Sequence, residues 1–286
     1  MTRRNHPTRR GPEIVDSVNT VDGRLSLVRL DHDQWEITHD GRTLMTSHFN
    51  RSEIALGEMA CRPLANHTAP RVIVAGLGMG YTLRAALDVL PHDAEVLVVD
   101  LNSVVVDWCR WRLGALCDNV LDDPRVRMEI GDVGVAIARR ASGEDKDRYD
   151  AIVLDLYEGP YAVPTGQEDP LFGRTALERA RSALRAHGCL AVWSEQAVPS
   201  FERRLRSSGF RCECRRPGHK GPRHVVYLAW PDGPRAVLGR EPGVALGVVG
   251  KRSSLPVSEY EDRRIIDATA TMAVKKRPNG ASHRYV

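Results

Sequence analysis

The chain has 286 residues, of which 42% are hydrophobic, and a net charge of +4. This length and composition are typical of a globular protein with one large domain and appendages, and no apolar run reaches the length of a membrane-spanning helix. The six cysteines have neither the pattern of a disulfide framework nor the paired spacing of a zinc site. We therefore expect reduced thiols, no metal and a cytoplasmic location.

The positive charge is concentrated at the two ends of the chain. Residues 1–10 carry four arginines and no acid, and residues 233–286 carry ten basic against five acidic residues, so residues 11–232 have a net charge of −5. Neither basic end contains a patch of basic residues interleaved with aromatic ones, and solvated chain ends are the commoner explanation of such charge. We predict a basic flexible tail over 1–23, a mostly unstructured basic extension over 233–286, and no nucleic-acid or membrane partner.

Residues 24–66 are predicted to form a small N-terminal β-meander and a linking helix. Alternating stretches at 25–30, 34–40 and 42–47 predict three antiparallel strands, and an Asp-Gly pair at 40–41 predicts a tight turn between the last two. Residues 53–65 have helical spacing. An open edge of this meander is a surface through which we expect a homodimer can form.

Residues 67–232 alternate between strand and helix patterns, which predicts a parallel sheet with helices on both faces. The last two apolar stretches, within 210–217 and 223–230, are separated only by a loop and predict an antiparallel hairpin. The predicted class is therefore α/β and Rossmann-like, with a mostly parallel seven-stranded sheet. Strands are predicted at 72–75, 95–101, 126–132, 151–156 and 189–195, and helices at 104–116, 134–141, 172–186 and 199–209.

A glycine-rich turn follows the first strand of this region. The sequence "RVIVAGLGMGYTL" changes from a buried strand to a helix through Gly76, Gly78 and Gly80. Glycines permit a sharp turn and close approach of a ligand, and the start of the helix offers free N–H groups, so the turn predicts a nucleotide site. Its spacing differs from that of dinucleotide-binding turns, because Tyr81 stands where the third glycine is required. The alternative is that the glycines only permit close packing of strand and helix.

An acidic residue stands at the end of each of the next four predicted strands. Asp100 is placed to accept both hydroxyls of a ribose, and Gly131 with Asp132 is placed for an exocyclic amine of a base. Asp155 and Glu195 end the following two strands. A single aspartate at such a position is more often a helix N-cap, but four in succession favour a binding site.

Four segments, in this order, resemble the spermidine synthase family, which has the class I S-adenosylmethionine-dependent methyltransferase fold. They are "RVIVAGLGMGYTLRAAL", "LVVDLNSVVVDWCR", "DDPRVRMEIGDVGVAI" and "YDAIVLDLYEGP". The resemblance covers residues 25–230 and implies that 67–232 form a nucleoside-binding catalytic domain. It implies that a sulfonium donor, S-adenosylmethionine or its decarboxylated form, is bound by Gly76, Gly78, Met79, Gly80, Asp100, Leu101, Gly131, Asp132 and Val133.

The same resemblance implies a catalytic residue and an acceptor site. Asp155 matches the aspartate that orients and deprotonates the attacking amine. Tyr157, Glu158 and Glu195 are the expected contacts of a small-molecule acceptor, an amine or another nucleophile. A cationic substrate also suits the acidic central part of the chain better than a phosphate or a carboxylate does.

The chain departs from the family pattern at several positions. Met79 replaces an aspartate that meets the free amine of the decarboxylated donor, and Leu56-Gly57 replaces a Tyr-His pair. Without a carboxylate at position 79, one source of repulsion toward intact S-adenosylmethionine is missing. We therefore expect alkyl transfer with methyl transfer slightly preferred. The alternatives are aminopropyl transfer to a polyamine-like acceptor and a non-catalytic nucleoside-binding protein.

Overall fold

The structure, a computed structural model, describes residues 11–20, 23–31, 33–157, 159–162, 168–218 and 223–233. The predictions for residues 1–10, for Glu158 and for 234–286 lie outside these ranges. Two sheets are present in the described residues, one with four strands and one with seven. None of the helices in these ranges combines the length and apolar character needed to cross a membrane.

The N-terminal sheet is antiparallel and has four strands rather than the three predicted. Its strands follow one another in chain order: β1 (Glu13–Thr20), β2 (Gly23–Asp31), β3 (Gln34–His39) and β4 (Arg42–Thr46).

The prediction of a flexible tail over 1–23 is wrong for residues 13–20, because they form β1 and pair with β2 along their length. The apolar alternation of β1 gives little signal, since Ile14 is 59% and Val18 38% exposed. Backbone pairing holds this strand instead, together with a bond of 2.8 Å from Trp108 Nε1 to Asp16 Oδ2.

The seven-stranded sheet has the predicted Rossmann-like topology, with strand order β10-β11-β9-β8-β5-β6-β7. Strands β5 to β9 are parallel, and β10 and β11 form the predicted antiparallel hairpin. The elements are α1 (Arg51–Cys61), β5 (Arg71–Ala75), α2 (Tyr81–Val89), β6 (Glu95–Asp100), α3 (Ser103–Trp111), β7 (Val126–Ile130), α4 (Val133–Ala141), β8 (Tyr149–Leu154), α5 (Arg174–Ala183), β9 (Leu184–Ser194), α6 (Pro199–Ser207), β10 (Phe210–Arg215) and β11 (Val225–Pro231).

Two apolar clusters form the core. One contains buried residues of α1, α2 and α3, and the other contains buried residues of α4, α5 and α6. Strand β5 lies between β8 and β6, so the chain order reverses beside it. Connections from neighbouring strands diverge at such a point and leave a crevice beyond the carboxyl ends. The topology therefore places the glycine-rich turn, which follows β5, in that crevice.

The helix predicted at 172–186 is too long, because α5 ends at Ala183 and β9 begins at Leu184. Leu177, Ala180 and Leu184 continue a helical spacing, so periodicity alone cannot show where the helix ends. In the structure Leu184 pairs with Tyr149 of β8, and Arg185 contacts the buried carboxylate of Asp150 at 3.0 Å. These contacts with β8 draw residues 184–188 into the sheet.

Arg125 caps the C-terminal end of α2. Its Nη1 donates to the carbonyl oxygens of Leu87 at 2.8 Å and Leu90 at 3.0 Å, and its Nη2 contacts Asp123 Oδ2 at 2.7 Å. The guanidinium thereby satisfies carbonyl groups that a helix end leaves without partners. The Arg125 guanidinium also lowers the pKa of the Asp123 carboxyl.

We expect Arg125→Ala to lower the free energy of unfolding by about 1.5–3 kcal/mol, because hydrogen bonds to a charged donor are lost. Urea denaturation measures this change. Arg127→Ala, two residues further along and exposed, is the matched control and is expected to cost less than about 0.5 kcal/mol. Equal effects of the two substitutions would show that the cap does not stabilise the fold.

Candidate active site

The turn between β5 and α2 has the left-handed backbone that its glycines predict. Gly76, Gly78 and Gly80 have φ values of 82°, 51° and 89°, a region that other residues rarely adopt. A Cβ atom on Gly76 would overlap the carbonyl oxygen of Asp155, so the turn is in direct contact with the end of β8. On the other side, Met45 Sδ lies 2.7 Å from where a Cβ on Gly78 would stand. Strand β4 of the N-terminal sheet therefore covers the turn.

Asp100, at the end of β6, holds the glycine-rich turn. Its two carboxylate oxygens accept hydrogen bonds of 2.8 Å from the backbone N–H groups of Leu77 and Asn102. Burial raises the pKa of Asp100, and the backbone hydrogen bonds oppose that rise. A carboxylate has about four lone-pair positions, so its predicted bonds to a ribose are compatible with these two.

Asp132 is the N-cap of α4, because its Oδ1 accepts a bond of 2.6 Å from the N–H of Gly134. This is the structural role that a strand-end aspartate commonly has. Among the hydrogen bonds of the described residues, none involves the second carboxylate oxygen of Asp132, Oδ2, so that oxygen is open to a ligand. Two apolar side chains at the same edge of the sheet are unusually open. Leu101 after β6 is 46% exposed, and Ile130 at the end of β7 is 49% exposed. A purine base between these apolar side chains, with the carboxylates of Asp100 and Asp132 beside it, stays the prediction for this edge.

Two residues predicted to bind the donor have buried side chains. Met79 is fully buried in the apolar core, and Cys117 Sγ lies 3.1 Å from its carbonyl oxygen. Val133 is buried against the other face of the sheet. Their side chains contribute to the core, and contacts of these residues and of Gly131 with a donor stay a prediction.

Asp155, directly after β8, is the predicted catalytic residue. Its backbone N–H donates to the Ala75 carbonyl at 2.9 Å, and its Oδ2 lies 2.5 Å from Thr82 Oγ1. Burial, and secondly the negative charge of Glu53, raise the pKa of Asp155 to about 7, whereas the Thr82 hydroxyl acts to lower it. A carboxyl group with such a pKa can accept and release a proton at neutral pH.

Two of the predicted acceptor residues, Tyr157 and Glu195, lie at the same edge of the sheet. Tyr157 follows Asp155 in the loop after β8 and is exposed, with the Arg42 guanidinium carbon 5.2 Å from its ring centre. Glu195 follows β9, the neighbour of β8, and is half-buried. The structure thus brings a strand of the N-terminal sheet to the acceptor side. Contacts of these residues with an acceptor stay a prediction.

Four residues of the site escaped the sequence analysis. Glu53 is buried in the first turn of α1, and burial raises its pKa. Ser52 Oγ donates to Glu53 Oε2 at 2.7 Å and lies 2.9 Å from His224 Nδ1, and Thr82 Oγ1 lies 3.1 Å from the Glu53 carbonyl oxygen. An acid in the first turn of a helix is ordinarily solvated, so the helical spacing of residues 53–65 gave no reason to expect a buried carboxyl here.

The profile of the spermine/spermidine synthase domain matches residues 57–204. The chain belongs to the spermine/spermidine synthase family. This confirms the family resemblance drawn from the sequence. The match begins within α1 and ends in α6, so it includes the glycine-rich turn and the ends of β6, β7, β8 and β9.

Curated members of the family are similar to this chain over part of their length. The polyamine aminopropyltransferase of Pyrobaculum calidifontis is 32% identical over 141 residues, which are 48% of this chain and 45% of that protein. The polyamine aminopropyltransferase of Nitrosomonas europaea is 30% identical over 137 residues, which are 48% of this chain and 39% of that protein. The chain therefore spans less than half the length of these relatives.

A solved structure of the family has the same fold. The crystal structure of the spermidine synthase from Thermotoga maritima superposes with a TM-score of 0.58 at 17% identity, and the match covers 78% of this chain and 74% of that one. The similarity confirms the predicted methyltransferase-type fold of this family member.

Proposed function

We propose that this member of the spermine/spermidine synthase family transfers an aminopropyl group from decarboxylated S-adenosylmethionine to an amine. The observation that carries the proposal is the carboxyl group of Asp155, which has a pKa of about 7 and belongs to a residue whose backbone carbonyl contacts the glycine-rich turn. Such a group can bind an ammonium ion and accept its proton. The curated relatives, named polyamine aminopropyltransferases, support the same activity.

The earlier preference for methyl transfer from intact S-adenosylmethionine is not supported. It rested on the absence of a carboxylate at position 79, where the Met79 side chain lies in the apolar core, whereas the curated relatives are named polyamine aminopropyltransferases. The backbone of Asp155 contacts the turn, and the negative charge of Glu53 acts on Asp155. These two carboxyl groups disfavour the carboxylate of an intact donor by like-charge repulsion. The decarboxylated donor lacks that group.

In the proposed reaction the amine nitrogen attacks the aminopropyl carbon that is bonded to the sulfonium sulfur. The new N–C bond forms as the C–S bond breaks, its electron pair stays on sulfur, and methylthioadenosine leaves. The amine loses one proton to Asp155. An ammonium ion has a pKa of ~10 and an ordinary aspartate of ~3.9, so a base whose pKa is raised makes this proton transfer less unfavourable. Alignment of the two reactants lowers the activation barrier by a further ~7–11 kcal/mol.

Product analysis tests the proposal. The full chain is incubated with intact or decarboxylated S-adenosylmethionine and a panel of diamines and polyamines, and products are identified by mass spectrometry. We expect methylthioadenosine and an acceptor heavier by one aminopropyl group, from the decarboxylated donor only. Methylated acceptor with S-adenosylhomocysteine would establish methyl transfer. Absence of turnover with both donors, while methylthioadenosine still binds, would establish a nucleoside-binding protein.

Asp100→Asn tests donor binding separately. We expect the affinity for methylthioadenosine to fall by about 1.5–3 kcal/mol, because charge-assisted hydrogen bonds to the ribose are weakened. Calorimetry measures the affinity, and a thermal melt shows whether the turn held by Leu77 and Asn102 is retained. Asp107→Asn, on the exposed side of α3, is the matched control and should bind normally. Tighter binding of NAD than of methylthioadenosine by the unsubstituted chain would contradict the assignment.

A further inference from the structure

The hydroxyl group of Thr82 connects Asp155 to the main chain of α1. Its Oγ1 lies 2.5 Å from Asp155 Oδ2 and 3.1 Å from the carbonyl oxygen of Glu53. A hydroxyl has one hydrogen, and a carbonyl oxygen can only accept. Both contacts are therefore hydrogen bonds only when Asp155 is protonated and donates to Thr82. When Asp155 is ionised, Thr82 donates to it, and the bond from Thr82 to the Glu53 carbonyl is lost.

A second hydroxyl orients the side chain of Glu53. Ser52 Oγ donates to Glu53 Oε2, so its contact with His224 Nδ1 requires that nitrogen to carry the proton. Burial lowers the pKa of His224, which favours the neutral ring. The chain of donors runs from His224 through Ser52 to Glu53. It stabilises the ionised form of the Glu53 carboxyl.

Close packing of α1 against α2 makes this arrangement possible. A Cβ atom on Gly57 would overlap the carbonyl oxygen of Thr82, so the two helices approach at this glycine. Gly57 and the fully buried Leu56 stand where the family has its Tyr-His pair. The loss of those polar side chains therefore coincides with the approach of Glu53, one helical turn earlier, to Thr82.

We propose that Glu53 is a positioning residue that makes Asp155 a stronger base toward the amine, with Ser52 and His224 holding Glu53 in its charged form. The inference rests on the proposed role of Asp155. Other titratable groups facing the pair are His224, which precedes β11, and Tyr81 of α2, whose hydroxyl donates to the Ser47 carbonyl at 3.1 Å. Glu53 is the charged group among these, so its removal should have the largest effect on Asp155.

The titration of Asp155 tests this inference without requiring turnover. The full chain is labelled with ¹³C-aspartate, its carboxyl resonances are followed against pH by NMR, and Asp155→Asn assigns the signal. We expect a midpoint near pH 7 in the unsubstituted chain. Glu53→Gln should lower the midpoint by about one pH unit or more, because a like charge is removed. Glu58→Gln, on the same helix but exposed and paired with Arg62, should leave it unchanged.

Substitution of Thr82 should shift the titration midpoint of Asp155 in the opposite direction. The hydrogen bond that Thr82 donates to ionised Asp155 is charge-assisted, and it acts to lower the pKa of Asp155 although the protonated form makes both contacts. Thr82→Val should therefore raise the midpoint, and Thr82→Ser should restore it. Should Glu53→Gln fail to fold, Ser52→Ala is the substitute, with a smaller downward shift expected because Glu53 is then less readily ionised. An unmoved midpoint in folded Glu53→Gln, or in Ser52→Ala where Glu53→Gln does not fold, would overturn the inference.

Kinetics separate this inference from the proposed function. If the unsubstituted chain transfers aminopropyl groups, Glu53→Gln should move the acidic limb of its kcat profile to lower pH and reduce the plateau, with donor affinity unchanged. The NMR shifts without turnover would support the role of Glu53 and contradict the proposed function. Turnover with an unmoved Asp155 midpoint in Glu53→Gln would support the proposed function and contradict the role of Glu53.

Discussion

Asp155→Asn is expected to lower turnover by roughly 10²–10⁴, the range usual for loss of a positioned base. Asparagine keeps the size of the side chain and an oxygen that can accept from Thr82, but it cannot take a proton from the amine. Donor affinity should be nearly unchanged, because Asp155 acts on the acceptor. Steady-state kinetics with the decarboxylated donor and calorimetry with methylthioadenosine measure the two quantities.

The pH dependence of the unsubstituted protein should have the same origin. Asp155 accepts a proton only when it is ionised, and its pKa is raised to about 7, so kcat should be retained above pH 7 and fall as the pH decreases through it. Asp132→Asn is a contrast, since it should raise the KM for the donor and leave kcat closer to normal. Near-full activity of Asp155→Asn across this pH range would show that the aspartate is structural.

Gly76→Ala is expected to destabilise the fold by about 2–5 kcal/mol and to reduce turnover as well. A left-handed backbone at a residue with a Cβ costs about 1–2 kcal/mol, and overpacking a filled site costs a further ~1–3 kcal/mol. The added atom would overlap the Asp155 carbonyl, so the end of β8 has to move and take the catalytic carboxyl with it. Urea denaturation and kinetics on the folded fraction measure the two effects.

Gly41 offers a matched control for this substitution. Its φ of 79° is close to the 82° of Gly76, but no atom lies within 4 Å of the position of its Cβ. Gly41→Ala should therefore cost only the backbone term of about 1–2 kcal/mol and leave turnover unchanged. Equal losses in the two variants would mean that the contact between the glycine-rich turn and Asp155 is not tight.

Local patterns in the chain were sufficient to predict the sheet and most of its helices. A strand covered on both faces is apolar throughout, as in "RVIVA", and a helix repeats its apolar residues every three or four positions. The patterns were misleading where a residue's neighbours, and not its own periodicity, decide its conformation. Leu184 continues the spacing of α5 but pairs with Tyr149, and Ile14 is exposed in a strand that backbone hydrogen bonds hold.

Some features of the candidate site could likewise be predicted from the sequence, and others depend on tertiary packing. The sequence by itself determined the strand-end positions of Asp100, Asp132 and Asp155 and the sharp turn at Gly76, because each follows from local spacing. It determined the family through the resemblance of whole segments. Only the tertiary structure decided that Asp100 holds that turn, that Met79 belongs to the core, and that Glu53 lies beside Asp155. Ser52 and His224 are 172 positions apart and meet through the packing of α1 against the sheet. The ionisation of a buried carboxyl depends on such distant neighbours, since burial and nearby charges set its pKa.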